Sequence, residues 1–550
     1  MGEQYESFIS KENFILAYNR IKTVKRNEYK EFFYRDFVAF EMFFEKNIEQ
    51  LINDIKEGIY EPHECDKYYM PKKKNLARPI SLICLIDQIV YQALTNTIAD
   101  IFHPIMYKYF NLNIFGNLFK PSNSEGSIFF FEKWKIQWKK FNDVKRVNYN
   151  NGYKYAVTFD IASFYDLIDH TILCEILREF GVEEELIKLL KSCFSQWTIS
   201  ATDSFNFKKS CGIPQGPVSS QFFSEVYLFK LDEVLRKQKN IKYTRYADDI
   251  NIMAKSHNDC QVAVVFLDLL ARDLSLIPQA EKIGIEYIED IDRYINNITT
   301  KFSKVTIEYR KNNYELRTQT HTTLKKQLMN TIRCGEMDKT IISFALYKLN
   351  KDDDVRDLLL ENLVRMELFY KGIIYYLGKH YPDNEDFLKY VTSFLSNGSV
   401  LYQYNKSLIF KDFIALPFDE EIFRSNYKSN IRFWIVKYQL INWLKNNKQL
   451  DLIIQYDEID NNYFIQREVN YIKFERLENE YSKRIYLEGL INSPNIMLSL
   501  HGLSIWYSSF FQEPEIDGCN DYIKRIIEGH ESDYFKYVMK KSMIWKYLII

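Results

Sequence analysis

The chain has 550 residues, too many for one ordinary core, and its length suggests roughly two to four domains. Hydrophobic residues make up 46% and charged residues 27%, the balance of a soluble globular chain; 17 glycines and 12 prolines leave little room for long linkers or a many-stranded sandwich. A net charge of −1 gives no global sign of a polyanion binder, so any such role must rest on local charge.

In chain order, Gly2 to Glu12 is polar and unlike a signal peptide. Residues 12–60 read as helices, with Phe14, Ala17, Ile21 and then Phe44, Ile48, Leu51, Ile55 at helical spacing. Pro62 and Pro71 punctuate the next stretch, Arg78 to Cys84 reads as extended, and Asp87 to Leu94 resumes a helix. Residues 110–127 carry Asn, Gly, Pro and Ser and read as a loop. Tyr155 to Phe159 is a short apolar strand that ends at Asp160, and His170 to Phe180 is helical. Gly212-Ile213-Pro214-Gln215-Gly216-Pro217 is a sharp loop that feeds an amphipathic helix with Phe222, Val226 and Phe229 on one face. A strand–turn–strand surrounds Asp248, and a helix spans Val262 to Leu274. Val305–Arg310 and Tyr314–Gln319, flanking Lys-Asn-Asn, suggest a hairpin. From Leu324 onward the chain reads as a succession of short helices with no exact repeat; a helical-repeat layer is the expectation.

The eight cysteines are dispersed without a CxxC pair, which argues against a zinc knuckle or disulfide framework and for reduced thiols in a cytoplasmic protein. No apolar run approaches ~18 residues, so no membrane span is expected. The 41 tyrosines and 41 phenylalanines are what an AT-rich genome gives, alongside Ile, Asn and Lys. Two stretches are locally basic: Lys72-Lys73-Lys74, and Lys133 to Lys140 with its interleaved tryptophans.

The most informative segment is Tyr246-Ala247-Asp248-Asp249. Two adjacent carboxylates at the tip of a tight turn repel one another unless a divalent cation neutralises them. A third waits upstream, at Asp160. Mg²⁺ takes hard oxygen ligands, so aspartates from a strand end and a facing hairpin are the residue type and placement for two-ion phosphoryl transfer.

Asp160…Tyr165, then Pro214-Gln215-Gly216, then Tyr246-Ala247-Asp248-Asp249 resemble, in order, three motifs of the reverse transcriptases. The likeness covers roughly residues 12–320. It implies an α+β right-hand polymerase fold: fingers and palm over 1–320, an antiparallel sheet with helices, then an all-α domain over 321–550 in the thumb position. It implies catalytic Asp160, Asp248 and Asp249, metal ligands at Asp160, Ile161, Asp248 and Asp249, and two Mg²⁺ ions for which Mn²⁺ substitutes. Tyr165 aligns with the steric-gate aromatic that excludes a 2′-hydroxyl, and Gln215 lines the incoming nucleotide. Lys72 and Arg78, within Met70 to Pro79, match the residues that grip the triphosphate, although Lys73 and Lys74 stand beside Lys72. Lys282 resembles the lysine of the motif after the catalytic hairpin, whose role is to protonate the leaving pyrophosphate.

The Gly-Ile-Pro-Gln-Gly-Pro loop is prokaryotic in flavour, and the long helical extension resembles the abortive-infection and other defence-associated ("unknown group") enzymes. That resemblance implies dNTP substrates, a DNA product, a possible non-coding RNA template, homo-oligomers and DNA synthesis without a conventional primer. A tyrosine hydroxyl, with Tyr370, Tyr375, Tyr376 and Tyr402 as examples, would then replace the 3′-hydroxyl. Alternatives are a retron or group II intron-like enzyme copying a dedicated RNA, an RNA-dependent RNA polymerase, and a degenerate palm that only binds nucleic acid.

Overall fold

The computed structural model describes residues 2–528, except for 24–26, 73–75, 125–127, 201–204, 206, 296–313, 336–337, 398–401, 429–430, 455–461, 511–513 and 515–518. Four helices open the chain: α1 (Glu3–Phe8), α2 (Lys11–Lys22), α3 (Asn27–Met42) and α4 (Phe44–Lys56). Ser10 caps α2 by accepting from the Asn13 N–H, and α4 buries its Ile48, Leu51, Ile52, Ile55 stripe. Next comes a hairpin, β1 (Asp66–Lys72) and β2 (Leu76–Leu82), with Met70 opposite Arg78. Pro71 and Pro79 are tolerated because only two strands make this sheet. α5 (Leu85–Met106) is buried from Leu85 to Ala99, polar Asp87, Gln88, Gln92 and Asn96 included, as befits a central helix.

The second sheet carries the palm-like part. After α6 (Trp134–Asn150) come β3 (Tyr155–Phe159), α7 (Phe164–Leu167), α8 (His170–Glu179), α9 (Glu184–Trp197) and α10 (Val218–Leu235). β4 (Ile241–Tyr246), β5 (Asp249–Ala254), α11 (His257–Asp273), β6 (Ile285–Tyr287) and α12 (Ile291–Ile295) complete it. The strand order is β4-β5-β3-β6, all antiparallel. Residues 113–115 cover the outer edge of β4: Arg245 N donates to the Asn113 carbonyl (2.8 Å) and Phe115 N to that of Arg245 (3.0 Å).

From Tyr314 onward every described element is helical, so the fold is α+β followed by an all-α region, as the sequence implied. The expected hairpin fails at its second arm: Tyr314–Arg333 is one helix, and Val305–Arg310 lies outside the described residues. The run Tyr-Glu-Leu-Arg-Thr-Gln alternates over six residues, but the same residues continue a longer helical pattern that wins. α10 also departs from its expected amphipathic face. Its Ser219, Ser220, Glu225 and Asp232 are buried along with the phenylalanines. All eight cysteines are unpaired, and no described helix is long and apolar enough to cross a membrane.

Two large cores result. One joins α1, α2, α4, α5 and the palm helices to residues 471–527. The other fills residues 324–472 and takes in Phe32, Phe33, Tyr68, Ile80 and Leu82 from the N-terminal part. Polar bonds lock the β1–β2 hairpin onto the later helices. Tyr402 donates its hydroxyl to the carbonyls of Lys72 (3.2 Å) and Leu76 (3.1 Å), and Trp434 Nε1 donates to that of Lys67 (2.8 Å). Tyr404 stacks on Tyr68 with centroids 5.8 Å apart.

A buried ionic knot ties α3 to helices Tyr463–Arg476 and Ile496–Ser509. Asp36 Oδ1 accepts from Arg467 Nη1 (2.9 Å) and Tyr463 Oη (2.6 Å), and His501 Nε2 lies 2.8 Å away. Burial alone raises the Asp36 carboxyl, but Arg467 and His501 outweigh it and hold it below its usual range. Arg467→Met should leave Asp36 buried without its cation and lower stability by about 3–5 kcal/mol. Chemical denaturation of the full chain checks this; a loss below about 1 kcal/mol would show that the knot is not structural.

Candidate active site

The register of the palm sheet brings the three aspartates together. Phe159 pairs with Ile250, so Asp160 leaves the end of β3 beside Asp249 at the start of β5. Tyr246 pairs with Asp249, which leaves Ala247 and Asp248 as a two-residue turn. Ala247 sits at φ +52°, a left-handed conformation that costs an alanine about 1–2 kcal/mol. The surroundings hold it there. A Cβ on Gly116 would come within 2.2 Å of Ala247 N, so the chain beneath the turn must be glycine. Arg245 Nη1 donates to the Ala247 carbonyl (3.2 Å) from below.

The charges at this turn are not balanced by one another. Burial first, and then Asp160, raise the Asp248 carboxyl. Asp249 is pushed up to about 6 by the surrounding protein, then by Asp248 and Asp160. Because Asp249 stays open to water, its repulsion by the two neighbouring carboxylates is the part that a bound cation would relieve. Lys282 is in an ion pair with Asp160. It arrives there because residues 277–279 run along 160–162: Ala162 N donates to Ile277 O (2.9 Å) and Gln279 N to Asp160 O (2.8 Å). An ammonium on this carboxylate shows that the position favours positive charge. Three carboxylates supply hard oxygen donors, two of them raised, and such a set fits divalent cations of the Mg²⁺ class.

A cavity of about 730 Å³ opens beside the turn. Lys72, Arg78, Asp160, Ile161, Tyr165, Gln215, Asp248 and Lys282 all line it. Asp249 does not line it; its carboxylate lies toward Lys145, whose ammonium burial pulls down to about 8. Tyr165 spans two environments, at the cavity wall and with its hydroxyl 3.4 Å from Ser224 Oγ. The Gln215 carbonyl accepts from Ser81 N (2.8 Å), which fixes the loop against β2.

Two cavity residues carried no motif. Lys371 comes from the helix Tyr370–His380, over a hundred positions after the catalytic turn, and no local pattern marks it. Asp166 comes directly after Tyr165; burial raises its carboxyl, and Gln215 Nε2 lies 3.5 Å from its Oδ1. Beneath the turn, Arg245 pairs with Asp232 through Nη2 (2.6 Å) and with Glu225 through Nη1, all three buried. These could have been found, since Glu225 and Asp232 stand among the apolar residues of α10 and acids buried there demand a cation.

One guanidinium faces two carboxylates, so one of the acids favours its proton. Glu225 is pushed up to about 7 by burial, against the pull of Arg245. A raised carboxyl binds its proton more tightly in the folded chain than in the unfolded one, where it titrates near 4.5. The stability it contributes is therefore complete below pH 4.5 and is lost as pH rises through about 7. Glu225→Gln, neutral throughout, should flatten the fall of melting temperature across that window. Parallel curves for the two proteins would contradict the assignment.

Comparison with known proteins places this geometry. Residues 70–327 match the family described as reverse transcriptase (RNA-dependent DNA polymerase). Group II intron-encoded protein LtrA of Lactococcus lactis subsp. cremoris is 23% identical over 209 residues, 37% of this chain and 30% of that protein. Protein YkfC of Escherichia coli strain K12 is 23% identical over 193 residues, 34% of this chain and 45% of YkfC. The chain thus spans less than half the length of either relative. Among solved structures, telomerase from Candida albicans with a telomeric RNA fragment aligns at TM-score 0.33 and 10% identity, over 77% of this chain and 68% of that one. Telomerase from Candida tropicalis with its RNA fragment aligns at 0.32 and 12%, over 69% and 64%. Three motifs in order, on an antiparallel sheet whose register joins their carboxylates, lie within the matched stretch, so residues 70–327 are similar to a reverse transcriptase domain.

Proposed function

We propose that the chain is an RNA-directed DNA polymerase that joins deoxynucleotides to a 3′-hydroxyl at Asp160, Asp248 and Asp249. The observation that carries this is the convergence of the three carboxylates on one turn, two of them, Asp160 and Asp248, lining a cavity that Lys72 and Arg78 line as well. Two Mg²⁺ ions bound by these aspartates and the Ile161 position would activate the attacking hydroxyl and neutralise the leaving pyrophosphate, and Mn²⁺ would substitute. The Arg78 fork and the Lys72 ammonium hold the triphosphate. Lys282 Nζ leaves Asp160 when cations arrive and gives its proton to the pyrophosphate oxygen. Tyr165 sets the floor under the sugar, and Gln215 orients the nucleotide.

In the same reading, residues 1–320 are fingers and palm. Residues 321–550 stand in the thumb's place, pinning the β1–β2 hairpin through Tyr402 and Trp434. Resemblance to defence-associated enzymes adds antiphage function, cytoplasmic location, homo-oligomers and an optional protein hydroxyl as primer. Of the four tyrosines considered for priming, Tyr370 and Tyr376 are buried and Tyr402 holds the hairpin, which leaves Tyr375 exposed. A second reading, a group II intron-like enzyme copying a dedicated RNA, is favoured by the matches to LtrA and YkfC. Sequencing the nucleic acid that co-purifies with the chain separates the two.

Asp248→Asn should reduce dNTP incorporation by orders of magnitude while leaving the unfolding temperature unchanged or higher, because it removes a repelled charge. Incorporation at the wild-type rate would reject the polymerase reading. Tyr165→Ala should raise NTP use relative to dNTP, read as the ratio of kcat/KM values. An unchanged ratio makes Tyr165 a packing residue, and a wild-type preference for NTP would favour an RNA polymerase.

A further inference from the structure

The face of α6 from Lys133 to Lys140 lies outside the cavity yet touches the catalytic turn. Tyr246 donates its hydroxyl to the Trp134 carbonyl (3.3 Å), and Trp138 meets the Tyr246 ring edge-on with centroids 5.0 Å apart. Trp134 is 65% exposed and Trp138 41%. Between them and just beyond stand Lys133, Lys135, Lys139 and Lys140, all exposed. The first acid on α6 is Asp143, and Arg146 engages it at 2.9 Å. Among the described residues no acidic side chain pairs with any of the four lysines; Lys140 donates to Asn111 Oδ1 (3.0 Å), and Lys135 Nζ lies 5.7 Å from the Trp134 ring centre.

Two indoles left in water beside four uncompensated ammonium groups narrow the choice of occupant. An apolar protein surface would cover the tryptophans but strip water from the lysines without replacing it. An acidic protein surface would satisfy the lysines and leave the rings without partners. A polynucleotide with unpaired bases supplies both, since its bases stack on indole faces and its phosphates meet the ammonium groups. Position adds direction. Asp248 lines the cavity, whereas Tyr246, two residues earlier, is absent from its lining and rests on α6.

Resting on the polymerase reading of the site, we propose that the Lys133–Lys140 face of α6 is a track for a single polynucleotide strand whose 3′ end lies at Asp248. The strand leaves the turn past Tyr246 with bases on Trp138 and Trp134 and its backbone along Lys135 and Lys139, which share one flank of the helix. Binding can be measured without catalysis: fluorescence anisotropy of labelled oligo(dT) with the full chain in EDTA, at several salt concentrations. Trp134→Ala with Trp138→Ala should weaken binding about tenfold or more, because each base–aromatic stack counts separately. Changing Lys135 and Lys139 to glutamine should lower the slope of log affinity against log salt by about 1.4, since each single-strand phosphate contact contributes about 0.7. Being fully surface substitutions, the glutamines also guard against a folding defect in the tryptophan variant. Wild-type affinity and slope in both variants would overturn the proposal. So would intact strand binding with an altered mass in sedimentation, which would assign the face to contacts between copies of the chain. Neither outcome bears on the incorporation assay of Asp248→Asn, so the two readings fail separately.

Discussion

Repulsion among three carboxylates is the constraint around which the rest of this structure is arranged. Asp248 and Asp249 are adjacent in sequence, and the sheet register sets Asp160 beside them. Such an arrangement is unfavourable by itself, and burial adds to the cost by raising the carboxyls of both turn residues. The fold answers with positive charge from every side. Lys282 pairs with Asp160, Lys145 faces Asp249, Arg78 looks across the cavity at Asp248, and Arg245 supports the turn from beneath. None of these cations removes the repulsion. They lower its cost without cancelling it, which is the arrangement that the proposed metal-dependent phosphoryl transfer would require.

The second organising feature is that the nucleotide cavity is built from distant parts of the chain. β1 and β2 provide Lys72 and Arg78, and the hairpin is held by Tyr402, Tyr404 and Trp434 from the helical region. That region also sends Lys371 into the cavity. The buried Asp36–Arg467–His501 knot adds a link between α3 and the later helices. Polar groups fixed this way, far apart in sequence, restrict how the hairpin moves relative to the palm.

Much of the candidate site was legible in the sequence because its signals are local. Asp160 ends an apolar strand, Pro214-Gln215-Gly216 opens a helix, and Ala247-Asp248 interrupts two β-prone runs; each pattern needs fewer than ten residues. Long-range features gave no such sign. β6 is three residues long and exists because β3 offers it an edge. Gly116 matters only because the Ala247–Asp248 turn rests on it, and Lys371 only because its helix brings it to the cavity wall. The expected hairpin near residue 314 failed for the opposite reason. Six residues alternated well, but the helical pattern around them ran for twenty.

The claim that three carboxylates form one cation site is tested most directly by counting ions. Manganese titration of the full chain, monitored by the electron paramagnetic resonance of the free ion, reports this without needing template or primer. With a non-hydrolysable dNTP analogue present, the wild-type chain should take up about two ions, and Asp160→Asn should lose tight binding. Equal uptake by the wild-type and Asp160→Asn proteins would contradict the account.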